Sequence, residues 1–161
     1  MQTTATAEAS TFPRLLLRHA TERPGAPAMR EKEYGIWQTR SWADMATLVE
    51  HLACGLHQAG LQRGEHMIVV GANRPRLSAT MLAAQALGAI PVPLYRDAAA
   101  AECVFPITNA EVRFCRVEDQ EQVDKMLEVR ESCPQLAHIY YDDPRGLRNY
   151  HEAGLTALDD L

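Results

Sequence analysis

Four short apolar runs, MIVV (67–70), IPVPL (90–94), VRFCRV (112–117) and HIYY (138–141), alternate with stretches whose apolar residues recur at helical spacing. This alternation constrains the fold more than any other feature. Strands in direct succession could pair as hairpins, but strands separated by helices must cross over and align in parallel. The spacing predicts helices over 76–87, 98–109 and 119–132, and therefore an α/β domain of three-layer type. Its sheet is expected to be mainly parallel and four-stranded, in the order 90–94, 66–71, 112–117, 138–141.

The run LAAQALGAIPVPLY (82–95) fixes one end of that order. Its helix stops at Gly88, a residue able to take the left-handed cap. Pro91 and Pro93, being alternate residues, lose their amides on the same side of the strand. A strand with no donors along one side belongs at a sheet edge.

Upstream of the sheet, Phe12 begins a short helix with Thr11 as its cap and Pro13 in its first turn, stopped by Pro24-Gly25. Ala28–Glu31 and Ile36–Ser41 flank a charged turn containing Gly35, which suggests a hairpin. From Trp42 to Ala59 an apolar stripe of Met45, Leu48, Val49, Leu52 and Leu56 predicts a helix ended by Gly60. Residues 1–11 are mostly small and polar without periodicity, and are expected to form a flexible tail ahead of one α/β unit over 12–161. Pro106 falls inside the third crossover helix, where it removes an amide at a cost of about 3 kcal/mol, and predicts a kink or break there.

Sixteen basic against twenty-one acidic residues give a net charge of −5, with no basic stripe suited to a phosphate backbone, so nucleic acid is not an expected partner. Only Lys32 and Lys125 are lysines, both in charged stretches, which leaves few candidates for a catalytic amine. The cysteines Cys54, Cys103, Cys115 and Cys133 show no CxxC spacing and read as reduced thiols. Leu15–Leu17 is far too short for a signal-peptide core or a transmembrane segment, and the expected compartment is the cytoplasm.

An α/β sheet invites a search for phosphate loops at the carboxyl ends of its strands. Neither GxGxxG nor GxxxxGK[ST] occurs. The nearest approach is Gly71-Ala72-Asn73-Arg74-Pro75, in which Asn73 or Arg74 could meet an anion. The competing reading is a plain turn in which Asn73 caps the next helix and Pro75 takes its first position. Asp142 and Asp143 follow a strand, where carboxylates can hold Mg²⁺ or a ribose, but the sequence DDPRG has its own turn chemistry. Glu118 and Asp119 are expected at a helix start, complementing its dipole. His51, Cys54 and His57 share a helix, yet the two histidines lie about 120° apart around its axis and do not converge on one metal ion. No residue of this chain is therefore assigned a catalytic or metal-binding role.

Taken together, the stretch from RSWADMATLVEHLACGL to GAIPVPLY, the segment AEVRFCRVEDQEQVDKMLEV and the run HIYYDDPRGL resemble the N-terminal part of the adenylate-forming enzymes, specifically the long-chain fatty-acid–CoA ligases. The resemblance runs from about Phe12 to the end and rests on order and spacing. It implies an enzyme that joins a fatty acid to ATP as an acyl-adenylate, releases pyrophosphate, and passes the acyl group to coenzyme A. ATP, Mg²⁺ and coenzyme A are then the cofactors of the whole enzyme, and none is expected on this segment. The family's phosphate loop, adenine and Mg²⁺ motifs and catalytic lysine domain have no counterparts between Met1 and Leu161, so no functional residue is carried over. The resemblance further implies that the remainder of the ligase chain is this segment's partner, and that the segment in isolation is an inactive scaffold, self-associating through its exposed apolar face. Peripheral membrane association is compatible with the full-length enzyme. The alternative is a stand-alone binding or regulatory module of the same fold.

Overall fold

The computed structural model describes residues 11–161, so the expected tail falls outside the described residues except for Thr11. Helix α1 (Phe12–Glu22) leads into a hairpin of β1 (Pro27–Glu33) and β2 (Ile36–Ser41). There follow α2 (Trp42–Gln58), β3 (His66–Val70), α3 (Pro75–Ala86), β4 (Ile90–Leu94), α4 (Ala100–Asn109), β5 (Phe114–Val117), α5 (Gln120–Ser132), β6 (His138–Tyr141) and β7 (Leu155–Ala157), with a final 3-10 turn (Leu158–Asp160).

The sheet runs β4-β3-β5-β6-β7 with every neighbouring pair parallel, so the expected order holds with one correction. There are five strands rather than four. The fifth, β7, has only three residues, too few to impose a period on the sequence.

Strand alternation divides the core into two. Met67, Phe114 and Tyr140 point to one face, where they pack with Leu16 of α1, Met45, Val49, Leu52 and Leu56 of α2, and Ala79 and Ala83 of α3. Ile68, Cys115 and Ile139, each one residue away along its strand, point to the other face and meet Cys103 and Ile107 of α4 and Val123, Met126 and Val129 of α5. The three layers are therefore α1-α2-α3, sheet, and α4-α5.

Helix ends follow local chemistry. Ser41 caps α2 in a reciprocal box, its hydroxyl accepting from the Asp44 amide at 3.1 Å while its own amide donates to the Asp44 carboxylate at 2.8 Å. At the other end, Leu61 N–H donates to Leu56 O and Gly60 N–H to His57 O, the paired bonds of a Schellman cap. The same pair closes α3 through Ala89 and Gly88, which delivers the chain directly into β4. It closes α4 as well, through Val112 and Glu111, with a glutamate in the left-handed position at φ 49°.

Two expectations need correction here. Arg74, not Asn73, is the residue that caps α3, and it does so without a side-chain bond; Pro75 does take the first helical position. Of the kink or break expected at Pro106, the break does not occur: helix α4 is continuous from Ala100 to Asn109. The carbonyl that loses its partner is that of Glu102, one turn earlier and on the exposed side of the helix, where water can satisfy it.

Candidate functional site

Strand β4 lies to one side of β3 and β5 to the other, which makes the gap between the carboxyl ends of β3 and β5 the topological switch point of the sheet. Open α/β sheets bind ligands at this place. Here it holds a network of the chain's own charges, built from the ends of β3, β5 and β6.

At its centre is Arg116 of β5, whose side chain has no exposed surface. Its Nη1 donates to the carbonyl of Val70 at 3.2 Å and its Nη2 to the Asp142 carboxylate. Burial lowers the guanidinium pKa, the opposing pull coming chiefly from the negative charges of Asp142 and Glu118. Arg116 Nε has no hydrogen-bond partner among the described residues. Gly71 ends β3 directly against this group; a Cβ built there would lie 2.7 Å from Arg116 Nη1, so the close approach requires glycine.

Asp142 also receives Arg76 of α3, whose Nε lies 2.5 Å from Oδ1 as an ion pair with the N–H turned off the oxygen. Arg76 Nη2 reaches on to Asp159 in the last turn at 2.6 Å. The second half of the network is Glu118. Its carboxylate accepts from the Ala72 amide and, at 2.8 Å, from Arg74 Nε, with Arg96 3.8 Å away. Arg74 in turn approaches Glu31 of the hairpin at 3.8 Å.

This arrangement assigns a place to each residue singled out in the sequence. Of the donors in this loop that could meet a phosphate, the Ala72 N–H and Arg74 Nε are taken by the Glu118 carboxylate. Asn73 stands exposed beside it. Asp119 caps α5 through the Gln122 amide at 3.2 Å, in keeping with its expected place, whereas Glu118 turns away from that helix into the switch point. Asp143 accepts from Arg145 within its own turn, and that bond holds its carboxyl below the usual range. His51, Cys54 and His57 lie on the exposed face of α2, and among the described residues no three metal-ligating side chains come together. Burial raises the Cys103 and Cys115 thiols, which leaves them unsuited to act as nucleophiles.

The two residues not singled out beforehand are Arg116 and Glu118 in this role. Their one signal was a charge inside the run FCRV, two positions before another. A broad open basin of about 820 Å³, lined by Arg63, His66, Glu111 and Arg113 among others, lies at the amino ends of the strands, the end opposite to the switch point.

Known proteins place this frame. The AMP-binding enzyme family matches residues 16–158. A long-chain-fatty-acid–CoA ligase of Mycobacterium bovis is 23% identical over 145 residues, covering 88% of this chain and 24% of that ligase. An uncharacterised protein of Mycobacterium tuberculosis is 31% identical over 136 residues, covering 84% of this chain and 74% of its own length. Among solved structures, the acetoacetyl-CoA synthetase of Streptomyces lividans superposes with a TM-score of 0.81 at 22% identity, over 92% of this chain and 24% of that one. The chain thus spans about a quarter of the length of the ligase and the synthetase it matches. With a family match covering nearly all its described residues and a parallel sheet shared with adenylate-forming ligases, the chain belongs to the AMP-binding enzyme family.

Proposed function

We propose that the chain is the N-terminal scaffold of a long-chain fatty-acid–CoA ligase and performs no step of the reaction by itself. The observation that carries this reading is the filled switch point: the Ala72 amide and Arg74, placed to receive a phosphate, hold Glu118 instead. The complete enzyme would join fatty acid and ATP into an acyl-adenylate and pass the acyl group to coenzyme A, using residues outside this segment. The long-chain preference is supported by the mycobacterial ligase and by a rat long-chain-fatty-acid–CoA ligase, 29% identical over 115 residues. The site of action is the cytoplasm, where the free cysteines would stay reduced.

The partner is the remainder of the ligase. Ile90, Tyr95 and Phe105, on or after the β4 edge and on α4, stand in water here, and in isolation such groups lead the chain to self-associate. Sedimentation velocity is expected to show species above the monomer; a clean monomer at high concentration removes this part of the reading. The main test is ATP–pyrophosphate exchange with palmitate. The purified chain is expected to give no exchange above a blank, and exchange above the blank overturns the scaffold assignment.

One observation favours a second reading. The Mycobacterium tuberculosis relative is matched over 74% of its length, against 24% of the Mycobacterium bovis ligase, which favours a unit of this extent. A stand-alone module of this fold would remain monomeric, and it would fail to restore exchange to a ligase lacking the corresponding segment.

A further inference from the structure

The β1–β2 hairpin sorts its side chains by charge. Its register pairs Lys32 with Trp37 and Arg30 with Thr39, and these four, being directly opposite, share one face. The alternate pairs, Glu31 with Gln38 and Met29 with Arg40, share the other, and there Met29 packs on the core while Glu31 is held by Arg40 at 3.9 Å and Arg74 at 3.8 Å. Both bases of β1 thus share the outer face, while its acids Glu31 and Glu33 share the opposite one, Glu33 paired with Ile36 and exposed beside the turn. The two-residue turn Tyr34-Gly35, both at positive φ, carries the hairpin to a tip where Tyr34, Ile36 and Trp37 are 83%, 64% and 65% exposed. In a chain of net charge −5, an exposed face bearing two cations, an indole and no carboxylate is a departure that packing does not require.

We propose that the outer face and tip of this hairpin dock on an anionic lipid surface, with Trp37 and Tyr34 at the level of the headgroups and Arg30 and Lys32 against the lipid phosphates. Tyrosine and tryptophan favour this interface because one end of each ring system is apolar and the other can stay hydrated. Basic side chains near it are drawn to anionic lipid within a Debye length. A stable protein interface needs roughly 20–30 residues a side, far more than a hairpin tip offers, whereas a lipid surface demands no matching shape. The proposal stands apart from the ligase reading, since it rests on the hairpin alone.

The test uses the 161-residue chain with vesicles of phosphatidylcholine, alone or mixed with phosphatidylglycerol. Co-sedimentation is expected with the mixed vesicles only, weakening as salt is raised, together with a blue shift of tryptophan emission. Trp37 supplies that shift, because Trp42 is already packed beneath His19 and Arg23. Trp37→Phe should abolish the shift. The double variant Arg30→Glu, Lys32→Glu should lower partitioning by more than about tenfold, and Thr39→Glu, which removes no existing contact, should weaken it too. The proposal is overturned if the chain stays in the supernatant with mixed vesicles at low salt, if it binds the uncharged vesicles equally well, or if the charge reversals leave binding intact. A blue shift that grows with protein concentration in the absence of vesicles assigns the face to a second copy of the chain and overturns it as well.

Discussion

Arg116 on β5 and Asp142 at the end of β6 form an ion pair in which the guanidinium is wholly buried and the carboxylate nearly so. A buried charge is tolerated only while its partner stays. Asp142→Asn removes the partner and leaves Arg116 with the Val70 carbonyl, so it is expected to cost about 3–5 kcal/mol in urea unfolding. Arg116→Met combined with Asp142→Asn removes both charges and should be more stable than Asp142→Asn alone. A double variant less stable than the single one would mean that Arg116 is held by its other contacts and not by this pair.

His138 gives stability a dependence on pH in the mildly acidic range. Its ring stacks on Phe114 at 4.6 Å, and burial, reinforced by the nearby Arg113 charge, holds its pKa below the ordinary imidazole value. In the fold the ring resists protonation that the unfolded chain accepts from about pH 6.5 downward. The unfolded state then binds more protons, so stability is full above pH 6.5 and declines as pH falls from there towards the lower folded value. Urea midpoints measured between pH 8 and pH 5 should show this decline, and His138→Asn should reduce it.

Helix α4 ends on Glu111 at φ 49°, while the equivalent positions after α2 and α3 are Gly60 at 95° and Gly88 at 77°. A side chain pays about 1–2 kcal/mol in the left-handed region, part of which glycine gives back through its greater freedom when unfolded. Glu111→Gly is therefore expected to stabilise the chain by up to about 1 kcal/mol. Glu111→Ala keeps a Cβ at the same φ and should bring no such gain, which separates backbone strain from the loss of the carboxylate.

What the sequence reveals and what it hides divide along the range of the interactions involved. The parallel sheet is legible because helical stripes and apolar runs are local patterns, and the edge position of β4 because Pro91 and Pro93 advertise two missing amides two residues apart. Glu118 misleads for the opposite reason. Locally it sits next to a helix start, but its oxygens belong to Ala72 and Arg74, 46 and 44 residues away, which no local pattern encodes. Pro106 misleads in another way: its cost depends on whether the carbonyl it strands faces water, and that is decided by packing on the other side of α4.

Strand β7 was the element with the least sequence signal, and one glycine governs whether it pairs. Gly154 precedes it at φ 77°, and its carbonyl accepts from the Ile139 amide at 2.8 Å to begin the β6–β7 ladder. A Cβ built on Gly154 would lie 2.0 Å from the carbonyl oxygen of Ala137, a backbone atom that cannot swing aside as a side chain would. Gly154→Ala thus combines left-handed strain with a clash that must be relieved by moving the start of β7 away from β6. The expected cost is at least about 2 kcal/mol, from the backbone conformation together with the displaced pairing. The loss should be local in character: amide hydrogen exchange is expected to speed up at Ile139 and Tyr141, whose neighbours in β7 would draw back, while Met67 and Ile68 of β3 keep their protection. Unchanged exchange along β6 would show that β7 re-forms its register around the new side chain and that the glycine is dispensable.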